Sequence, residues 1–595
     1  MTPVSYRDVQ ITGGFWQHLQ RRNKEITLPA VQRQFEETGR FAALDFGTPW
    51  VKKPHIFWDS DLGKWIESVA YILQKGPAPA LEQAAEAAIA LIEKYQGEDG
   101  YYNICFTVVE PEKRWQNRGD HELYCAGHLI EAAVAYYEAT GRDRLLRCMK
   151  KYADYIERVF VKEQSAAFTT CGHEEIELAL VRLYRCTGEA RYLCLSAFFI
   201  DRRGANGKDR APYDFSDQTY CQSHRPVREQ REAVGHAVRA MYLYCAMADL
   251  ALENKDDTLL EACKQLFDNT VQKRMYVTGG VGSTHHGEAF TIDYDLPNET
   301  AYAETCAAIG LALFARRMGA LEPDSRYADV AELAIYNGVL SGLSEDGAAF
   351  FYENPLEIHP SLRSKNTGTR GGDRYPVTQR QKVFDCMCCP PNFTRFIASF
   401  GDFLFSEDDC TLYIHHYAHV RTDRLELKTE YPREGKISLR IRDMRGKRVA
   451  LRIPGWCEDF RCGVPGTLDR GYYYIDIPGD DFAVSLSLEM PARLVYANPA
   501  VYENIGRAAV MRGPVVYCME ALDNGENLRA LSIAPGTKFT GGFDELQCEG
   551  FRIEAGQALY TPNPPESIPQ RLRFIPYHRF ANRGESEMAV WVRTG

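Results

Sequence analysis

The chain has 595 residues, a formal net charge of −11 at pH 7 and a sequence pI near 5.8. This dispersed acidic balance argues against a nucleic-acid partner and against an anionic membrane surface. The length exceeds the size at which a single hydrophobic core stops growing, so we expect two or three domains.

The N-terminus and the cysteines predict the compartment. MTPVSYRDVQITGGFW lacks a basic segment followed by an apolar one, so we identify no signal peptide. No run of about 18 apolar residues offers a membrane span. Most of the 18 cysteines are scattered singly through apolar helical stretches, which is typical of reduced, buried thiols. We therefore predict a cytoplasmic, reducing location, where clustered cysteines indicate metal binding or catalysis.

Helical periodicity governs the first part of the chain. Segments 62–76 and 79–97 have apolar residues three and four positions apart, and each ends at glycine. The phrase AYYEATGRDRLL, starting at Ala135, recurs as RLYRCTGEARYL, starting at Arg182, and the two Thr-Gly pairs are 47 residues apart. A repeat at this interval predicts stacked helical hairpins. We interpret them as a closed (α/α) ring with a polar central pocket, and an open solenoid is the alternative.

After Phe405 the pattern alternates between apolar and polar residues, with Gly, Pro and Asp between the segments. This predicts an all-β domain, a sandwich, that ends near Ala497. The remaining residues are also β-rich and contain long proline-bearing loops. We therefore predict an α+β multidomain chain with a helical domain at 1–405, a β-sandwich at 406–497 and a C-terminal β-rich domain at 498–595.

Three cysteines occupy four positions in FDCMCCPPNFTR, residues 384–395. The adjacent Cys388 and Cys389 are poor disulfide partners for each other, because one intervening peptide bond strains the required geometry. The sulfurs therefore hold a metal ion, or one of them performs chemistry. Pro390 and Pro391 disfavour a helix, so we predict a rigid, non-helical corner that directs both sulfurs toward one ion.

A zinc site would need two more ligands, and the best candidates lie in AYAETCAAIG. Glu304 and Cys306 are two positions apart, and on a regular helix their side chains would diverge by about 200°. Joint ligation therefore requires an irregular turn or a helix that begins there. The ordinary alternative is that Cys306 is a small core residue.

A carboxyl group and several histidines complete the candidate site. Glu288 lies in a Gly-rich loop, where it is either a general acid/base or a solvated glutamate. His121 and His128 are seven positions apart and share one predicted helix face. His173 and His236 lie near the starts of later helical segments. A single histidine on an apolar face is usually a core residue, but several at equivalent helix starts favour a polar pocket. Tyr352, in AAFFYENPL, fits either environment.

Together these motifs resemble glycoside hydrolase family 127, the β-L-arabinofuranosidase family, over essentially the whole chain. The motifs include CCPPN, the Glu-Thr-Cys segment, GHEEIELAL, AVGHAVRA, FFYENPL, LRIPGWC and RGPVVY. The resemblance implies an (α/α)6-barrel catalytic domain followed by β-sandwich domains. It also implies a retaining exo-hydrolase that releases β-linked L-arabinofuranose from an arabinofuranoside oligosaccharide or glycoconjugate. The same mechanism on another sugar is an alternative, and a homodimer stays open.

The resemblance assigns roles to individual residues. Cys388 would be both the nucleophile and a Zn²⁺ ligand, and Glu288 would be the general acid/base. The other zinc ligands would be Glu304, Cys306 and Cys389. The sugar contacts would be His121, His173, His236 and Tyr352. We add His128 to the sugar contacts because it lies close to His121 on the same predicted face.

Two other classes of function compete with this interpretation. A sugar epimerase or an unsaturated-uronyl hydrolase on an (α/α) barrel would use histidines or aspartates, for which Asp59 and Asp61 are candidates. Either class would leave Cys388 and Cys389 unexplained. A non-catalytic carbohydrate-binding protein with a structural zinc would need four tight ligands and no role for Glu288.

Overall fold

The structure is a computed structural model that describes residues 1–50, 52–205, 218–362, 365, 377–383, 386–554, 556 and 558–595. Long α-helices extend up to residue 398, and β-strands dominate from residue 405 onward. The predicted change from a helix-rich part to β-rich parts is therefore confirmed. No described helix combines the length and the apolar character that crossing a membrane requires.

The helical part is a succession of inner and outer helices. Their bounds are α1 (Gly14–Arg22), α2 (Leu28–Glu37), α3 (Trp58–Lys75), α4 (Pro79–Tyr95), α5 (Glu122–Thr140), α6 (Arg144–Glu157), α7 (Ile176–Thr187), α8 (Ala190–Arg202), α9 (Ala237–Asn254), α10 (Asp257–Lys273), α11 (Thr305–Leu321), α12 (Ser325–Leu333) and α13 (Cys389–Ala398). The odd-numbered helices from α3 to α13 contact one another in chain order, and α13 returns to α3. The even-numbered helices from α4 to α12 each pack against the helix before them.

The repeated Thr-Gly phrase marks the turn of a helical hairpin. Helices α5 and α7 end at Thr140 and Thr187, and each is followed by an outer helix. Gly141 and Gly188 both have a φ of 72°, the left-handed conformation that ends helices and that glycine adopts without strain. The hairpin interpretation of the repeat is therefore confirmed.

Two six-stranded sheets follow the helices. Their strand orders are β1-β4-β5-β9-β12-β11 and β10-β13-β8-β7-β6-β2, with bounds β1 (Thr2–Pro3), β2 (Gln10–Ile11), β4 (Phe405–Glu407), β5 (Thr411–Ile414), β6 (Val420–Arg421), β7 (Leu425–Thr429), β8 (Lys436–Arg442), β9 (Arg448–Arg452), β10 (Phe460–Cys462), β11 (Thr467–Asp469), β12 (Tyr472–Asp476) and β13 (Asp481–Leu488). Strand β8 alternates between exposed and buried residues at every position, and β13 does so except at the partly buried Ser487, as half-buried strands do. The N-terminal strands β1 and β2 join one sheet each.

The third sheet defines the C-terminal unit, residues 492–595. Its strands are β14 (Ala492–Val495), β15 (Arg507–Arg512), β16 (Val515–Glu520), β17 (Leu531–Ile533), β18 (Thr540–Gly541), β19 (Leu546–Ile553), β20 (Ser567–Pro576), β21 (Met588–Ala589) and β22 (Trp591–Thr594), with β3 (Glu357–Ile358) added from the helical part. Because β16 also pairs with β15, six strands close into a ring: β15, β22, β17, β19, β20 and β16. The pairing of β21 with β3 ties the C-terminal unit to the helical part.

Candidate active site

The N-terminal ends of the inner helices meet at one cavity of about 500 Å³. His121, His236, Glu304 and Cys388 each immediately precede an inner helix, and His173 lies three residues before α7. The predicted site residues that line the cavity are His121, His173, His236, Glu288, Glu304, Cys306, Tyr352 and Cys388. Helix N-termini favour negative charge, so this end of the ring suits thiolates and carboxylates.

Three thiols and one carboxylate converge beside the cavity. The ligand atoms of Glu304, Cys306, Cys388 and Cys389 all lie within 4.8 Å of one another. The Cys306 sulfur is 3.2 Å from that of Cys389 and 3.9 Å from that of Cys388. Glu304 Oε1 is 3.4 Å from the Cys389 sulfur, while the buried Glu304 Oε2 has no hydrogen-bond partner among the described residues. This group can hold a metal ion.

The start of α11 explains how Glu304 and Cys306 share one site. Glu304 is the residue before the helix and has φ −58° and ψ 139°, while Cys306 is the second helical residue. The extended backbone at Glu304 turns its side chain away from the helical direction. Of the two arrangements that would let Glu304 and Cys306 bind one ion, the structure has the helix that begins at this point.

The prediction of a non-helical corner at Cys388-Cys389 was wrong. Helix α13 begins at Cys389, and Pro390 and Pro391 occupy its first turn. A proline there loses no hydrogen bond, because the first N–H groups of a helix have no intrahelical acceptor.

At the other end of α13, Arg395 Nη1 is 2.7 Å from carboxylate oxygens of both Glu67 and Glu131.

Glu288 is held by two donors, and one of its carboxylate oxygens lies within 4.8 Å of one of Glu304. His236 Nδ1 accepts a hydrogen bond from the backbone N–H of Val238, so Nε2 carries the proton and donates to Glu288 Oε2 at 2.7 Å. The Tyr302 hydroxyl donates to Oε1 at 2.5 Å. Burial alone would raise the pKa of Glu288, but these hydrogen bonds outweigh it and lower the pKa to about 2. Glu288 is therefore a carboxylate, the form that acts as a base.

The pocket histidines are neutral. Burial, followed by the positive charge of Arg239, lowers the pKa of His121 to about 3 and that of His173 well below its usual value. Their rings are neighbours, with centroids 5.7 Å apart. A neutral imidazole offers one donor and one acceptor, which suits the hydroxyl groups of a sugar.

Tyr352 links the two halves of the site. Its hydroxyl oxygen is 3.3 Å from the Cys388 sulfur and 3.5 Å from Glu288 Oε1. The sulfur and the carboxylate therefore face a common polar group across the cavity. Cys388 is partly exposed to the cavity, whereas Cys389 is buried.

His128 has a different environment from the other four predicted sugar contacts. Its side chain is fully buried, its Nδ1 lies 3.0 Å from Glu175 Oε1, and its ring meets Tyr124 edge-on. Tyr124 lines the cavity, whereas His128 is not among the lining residues. His121 precedes α5 instead of forming part of it, so the two histidines do not share a helix face.

Asp59 and Asp61 do not form a catalytic pair. Asp59 is buried and accepts a hydrogen bond from the Ile104 N–H at 3.0 Å. Asp61 forms a buried ion pair with Arg40 at 2.9 Å. Both carboxyl groups are therefore engaged by other parts of the chain, and only Phe57 and Ser60 from this segment line the cavity.

Several lining residues were missed by the sequence analysis. Tyr302 precedes Glu304 by two positions, and Arg239 follows His236 by three, so both lie within motifs that were already selected. The missed lining residues that contact the predicted ones include Tyr124, Tyr302 and Cys386, and the charge of Arg239 lowers the pKa of His121. These residues could have been selected because they lie within a few positions of a residue that was already predicted to be in the site. Gln381 had no such signal.

The comparisons with known proteins agree along the chain. Residues 8–402 match the family model for the β-L-arabinofuranosidase GH127 catalytic domain, and residues 492–593 match that for the glycoside hydrolase family 127 C-terminal domain. A non-reducing end β-L-arabinofuranosidase from Bifidobacterium longum subsp. longum is 36% identical, with 90% of this chain and 89% of the relative covered.

Two solved structures share the fold. A GH127 β-L-arabinofuranosidase from Geobacillus stearothermophilus T6 has a TM-score of 0.93 and 40% identity, covering 99% of this chain and 100% of the other. A second GH127 β-arabinofuranosidase has a TM-score of 0.87 and 33% identity, covering 100% of this chain and 98% of the other.

Proposed function

The chain belongs to glycoside hydrolase family 127, and from this premise we propose that it is a retaining exo-hydrolase that releases β-linked L-arabinofuranose from an oligosaccharide or glycoconjugate. The proposal rests on one observation: the Cys388 sulfur and a Glu288 carboxylate oxygen both lie within 3.5 Å of the Tyr352 hydroxyl. Two groups that contact the same hydroxyl can both reach one anomeric centre, as a nucleophile and an acid/base must do in a double displacement.

We also propose an architecture for the chain. The closed succession of inner helices, with an outer helix packed on each of five of them, supports an (α/α)6 barrel. The domains would be the barrel at 1–405, a β-sandwich at 406–497 and the C-terminal β-rich domain at 498–595, although β14 at 492–495 already pairs with β15 of the C-terminal sheet. The free state of all 18 cysteines fits the proposed cytoplasmic location, where thiols stay reduced.

Zinc is the ion that we propose for the cysteine site. A tetrahedral site with Zn–S bonds of about 2.3 Å places its sulfurs roughly 3.8 Å apart. Two of the three sulfur separations are 3.8 and 3.9 Å, and the third is 3.2 Å. Thiolates are the soft ligands that zinc prefers, and Glu304 supplies a fourth donor. When bound, zinc would keep its sulfur ligands deprotonated at neutral pH.

The chain's own groups account for the first half of the reaction. The Cys388 sulfur attacks the anomeric carbon and forms a C–S bond as the C–O bond to the leaving group breaks. Glu288 donates a proton to the departing oxygen. The carboxyl has to take up this proton on substrate binding, since exclusion of water by the sugar favours the neutral form.

In the second half, Glu288 acts as a base, the role that its hydrogen bonds from His236 and Tyr302 favour. It removes a proton from water, whose oxygen attacks the anomeric carbon and displaces the Cys388 sulfur. His121, His173, His236 and Tyr352 would contact the sugar hydroxyls. Two inversions at the same carbon give a product with the configuration of the substrate.

Hydrolysis of aryl β-L-arabinofuranosides tests the proposed function. We expect release of the phenol, with the sugar first appearing as the β-anomer in proton NMR spectra before mutarotation. The aryl α-L-arabinofuranoside is the control and should not be cleaved. Initial formation of the α-anomer would rule out the double displacement. Absence of hydrolysis, with epimerised or merely bound sugar, would favour one of the rival classes.

Metal analysis tests the cysteine site separately. We expect about one zinc per chain, and removal by a strong chelator should abolish activity until zinc is restored. Glu304→Ala should lower the zinc content, because one of four ligands is gone. Cys386→Ser is the matched control, since Cys386 lines the same cavity outside the four-residue group. Full activity in a zinc-free protein would remove the metal from the proposal.

A further inference from the structure

One wall of the pocket is fastened to the C-terminal unit. Gln381 and Val377 both line the cavity. The Gln381 backbone N–H and C=O both pair with those of Phe350, at 2.8 Å each. Phe350 is two residues before Tyr352, so this pairing joins two parts of the pocket wall.

Arg380, the residue before Gln381, connects this wall to two other regions. Its guanidinium donates to the carbonyl oxygen of Ser341 at 2.8 and 3.1 Å. It also donates to the carbonyl oxygens of Phe580 at 2.6 Å and His578 at 3.3 Å, both in the C-terminal unit. One side chain thus joins the helical part, the pocket wall and the C-terminal unit.

Aromatic rings complete the attachment. The guanidinium carbon lies 4.5 Å from the ring centroid of Phe351 and 5.2 Å from that of Phe580. These two rings stack on each other, with centroids 5.0 Å apart. A planar guanidinium can stack on rings and donate in several directions at once, which a lysine ammonium cannot do.

The attachment reaches the reactive groups through a short path. Phe351 precedes Tyr352, and its carbonyl accepts a hydrogen bond from the Thr305 hydroxyl at 2.9 Å. The Tyr352 carbonyl accepts from the Thr305 N–H at 3.0 Å. Thr305 lies between Glu304 and Cys306. The segment 350–352 is therefore held between the candidate metal ligands and the Arg380 contacts.

We propose that Arg380 is a positioning residue through which the C-terminal unit holds the pocket wall formed by Gln381 and Tyr352. The C-terminal unit contributes no described side chain to the cavity lining, so its effect on catalysis would act through this attachment. The consequence for rate rests on the proposed function, whereas the consequence for the wall's mobility does not.

Hydrogen–deuterium exchange tests the attachment without any substrate. In Arg380→Ala, the amides of Phe350 and Gln381 should exchange about 10-fold faster or more, because several hydrogen bonds to a charged group are lost. Arg380→Lys should give an intermediate increase and serves as the folded variant if the alanine variant is unstable. Arg433→Ala is the matched control, because Arg433 pairs with Asp544 of the C-terminal unit away from the pocket. Unchanged exchange in both Arg380 variants would overturn the proposal.

Kinetics give the second measurement. In the zinc-loaded enzyme, Arg380→Ala should lower kcat/KM by roughly 10- to 100-fold, since small displacements of positioned groups have effects of this size. Arg433→Ala should stay within about 2-fold of the wild type. Faster exchange with unchanged kcat/KM would refute the catalytic part of the proposal. An inactive wild type with the expected exchange pattern would refute the proposed function and leave the attachment supported.

Discussion

Replacing Glu288 with glutamine is expected to lower kcat on an alkyl β-L-arabinofuranoside by about 10²- to 10⁴-fold. Glutamine has nearly the same shape and can still accept hydrogen bonds from His236 or Tyr302, but it cannot exchange a proton with the substrate. The zinc content should stay at the wild-type level, because Glu288 lies outside the four-residue ligand group. Steady-state kinetics and metal analysis on the same preparation check both statements.

Azide distinguishes loss of the acid/base from general damage to the pocket. With an aryl leaving group, the first step needs little protonation, and azide attacks the intermediate without a base. Azide should therefore restore turnover of Glu288→Gln and give a β-glycosyl azide. Glu353→Gln is the matched control, since Glu353 lines the same cavity and should show no dependence on azide. Near wild-type rates on the alkyl glycoside would mean that another residue is the acid.

The helical part was predictable because its signals are local. The Thr-Gly pairs at 140–141 and 187–188 end inner helices through a backbone conformation that glycine itself favours. The (α/α)6 barrel and the three domain bounds remain predictions. Closure of the ring depends on contacts between α13 and α3, which no local pattern encodes. The pairing of β1 and β2 with strands more than 400 residues away is equally non-local.

The site was predictable where helix starts determine it. Glu304 and Cys306 can converge only at an irregular turn or where a helix begins, and the structure has a helix that begins between them. The non-helical corner at Cys389 was predicted from the two prolines that follow it. That prediction was wrong, because proline is excluded from helix interiors but not from the first turn. His128 was selected by helical spacing from His121, yet His121 has a left-handed backbone (φ 62°) and precedes the helix.

The role of Arg380 could not be predicted from the sequence. Its acceptors lie 39 residues away at Ser341 and about 200 residues away at His578 and Phe580. An arginine next to a glutamine in a polar segment is ordinary in composition. Only the folded chain brings backbone carbonyls from two regions within reach of one guanidinium.

The two adjacent cysteines are expected to differ in reactivity, although both belong to the candidate metal group. Cys388 lines the cavity, and its sulfur is 3.3 Å from the Tyr352 hydroxyl. Cys389 is 1% exposed, and its sulfur lies 3.2 Å from that of Cys306. An electrophile that occupies the sugar pocket can therefore reach the first sulfur but not the second. Burial, not intrinsic thiol chemistry, makes the difference.

A bromoacetamide or cyclitol-epoxide analogue of L-arabinofuranose should label Cys388 alone within the tryptic peptide that ends at Arg395. Mass spectrometry of the digest locates the label. Cys388→Ser should lower activity by on the order of 10⁴- to 10⁶-fold, the range found when a hydrolase loses its nucleophile or its activation. Cys389→Ser should lose zinc as well as activity.

Cys386→Ser is the control that makes the labelling decisive. Cys386 also lines the cavity, and its sulfur is 3.9 Å from the Tyr352 hydroxyl, so it is the other thiol that the reagent can approach. If Cys388 is the nucleophile, labelling survives in Cys386→Ser and disappears in Cys388→Ser. Label on Cys386 or Cys389 in the wild type would contradict the assignment. Because the reagent reports on the sulfur that faces the anomeric position, this result separates the nucleophile from a purely structural zinc ligand even where both substitutions abolish turnover.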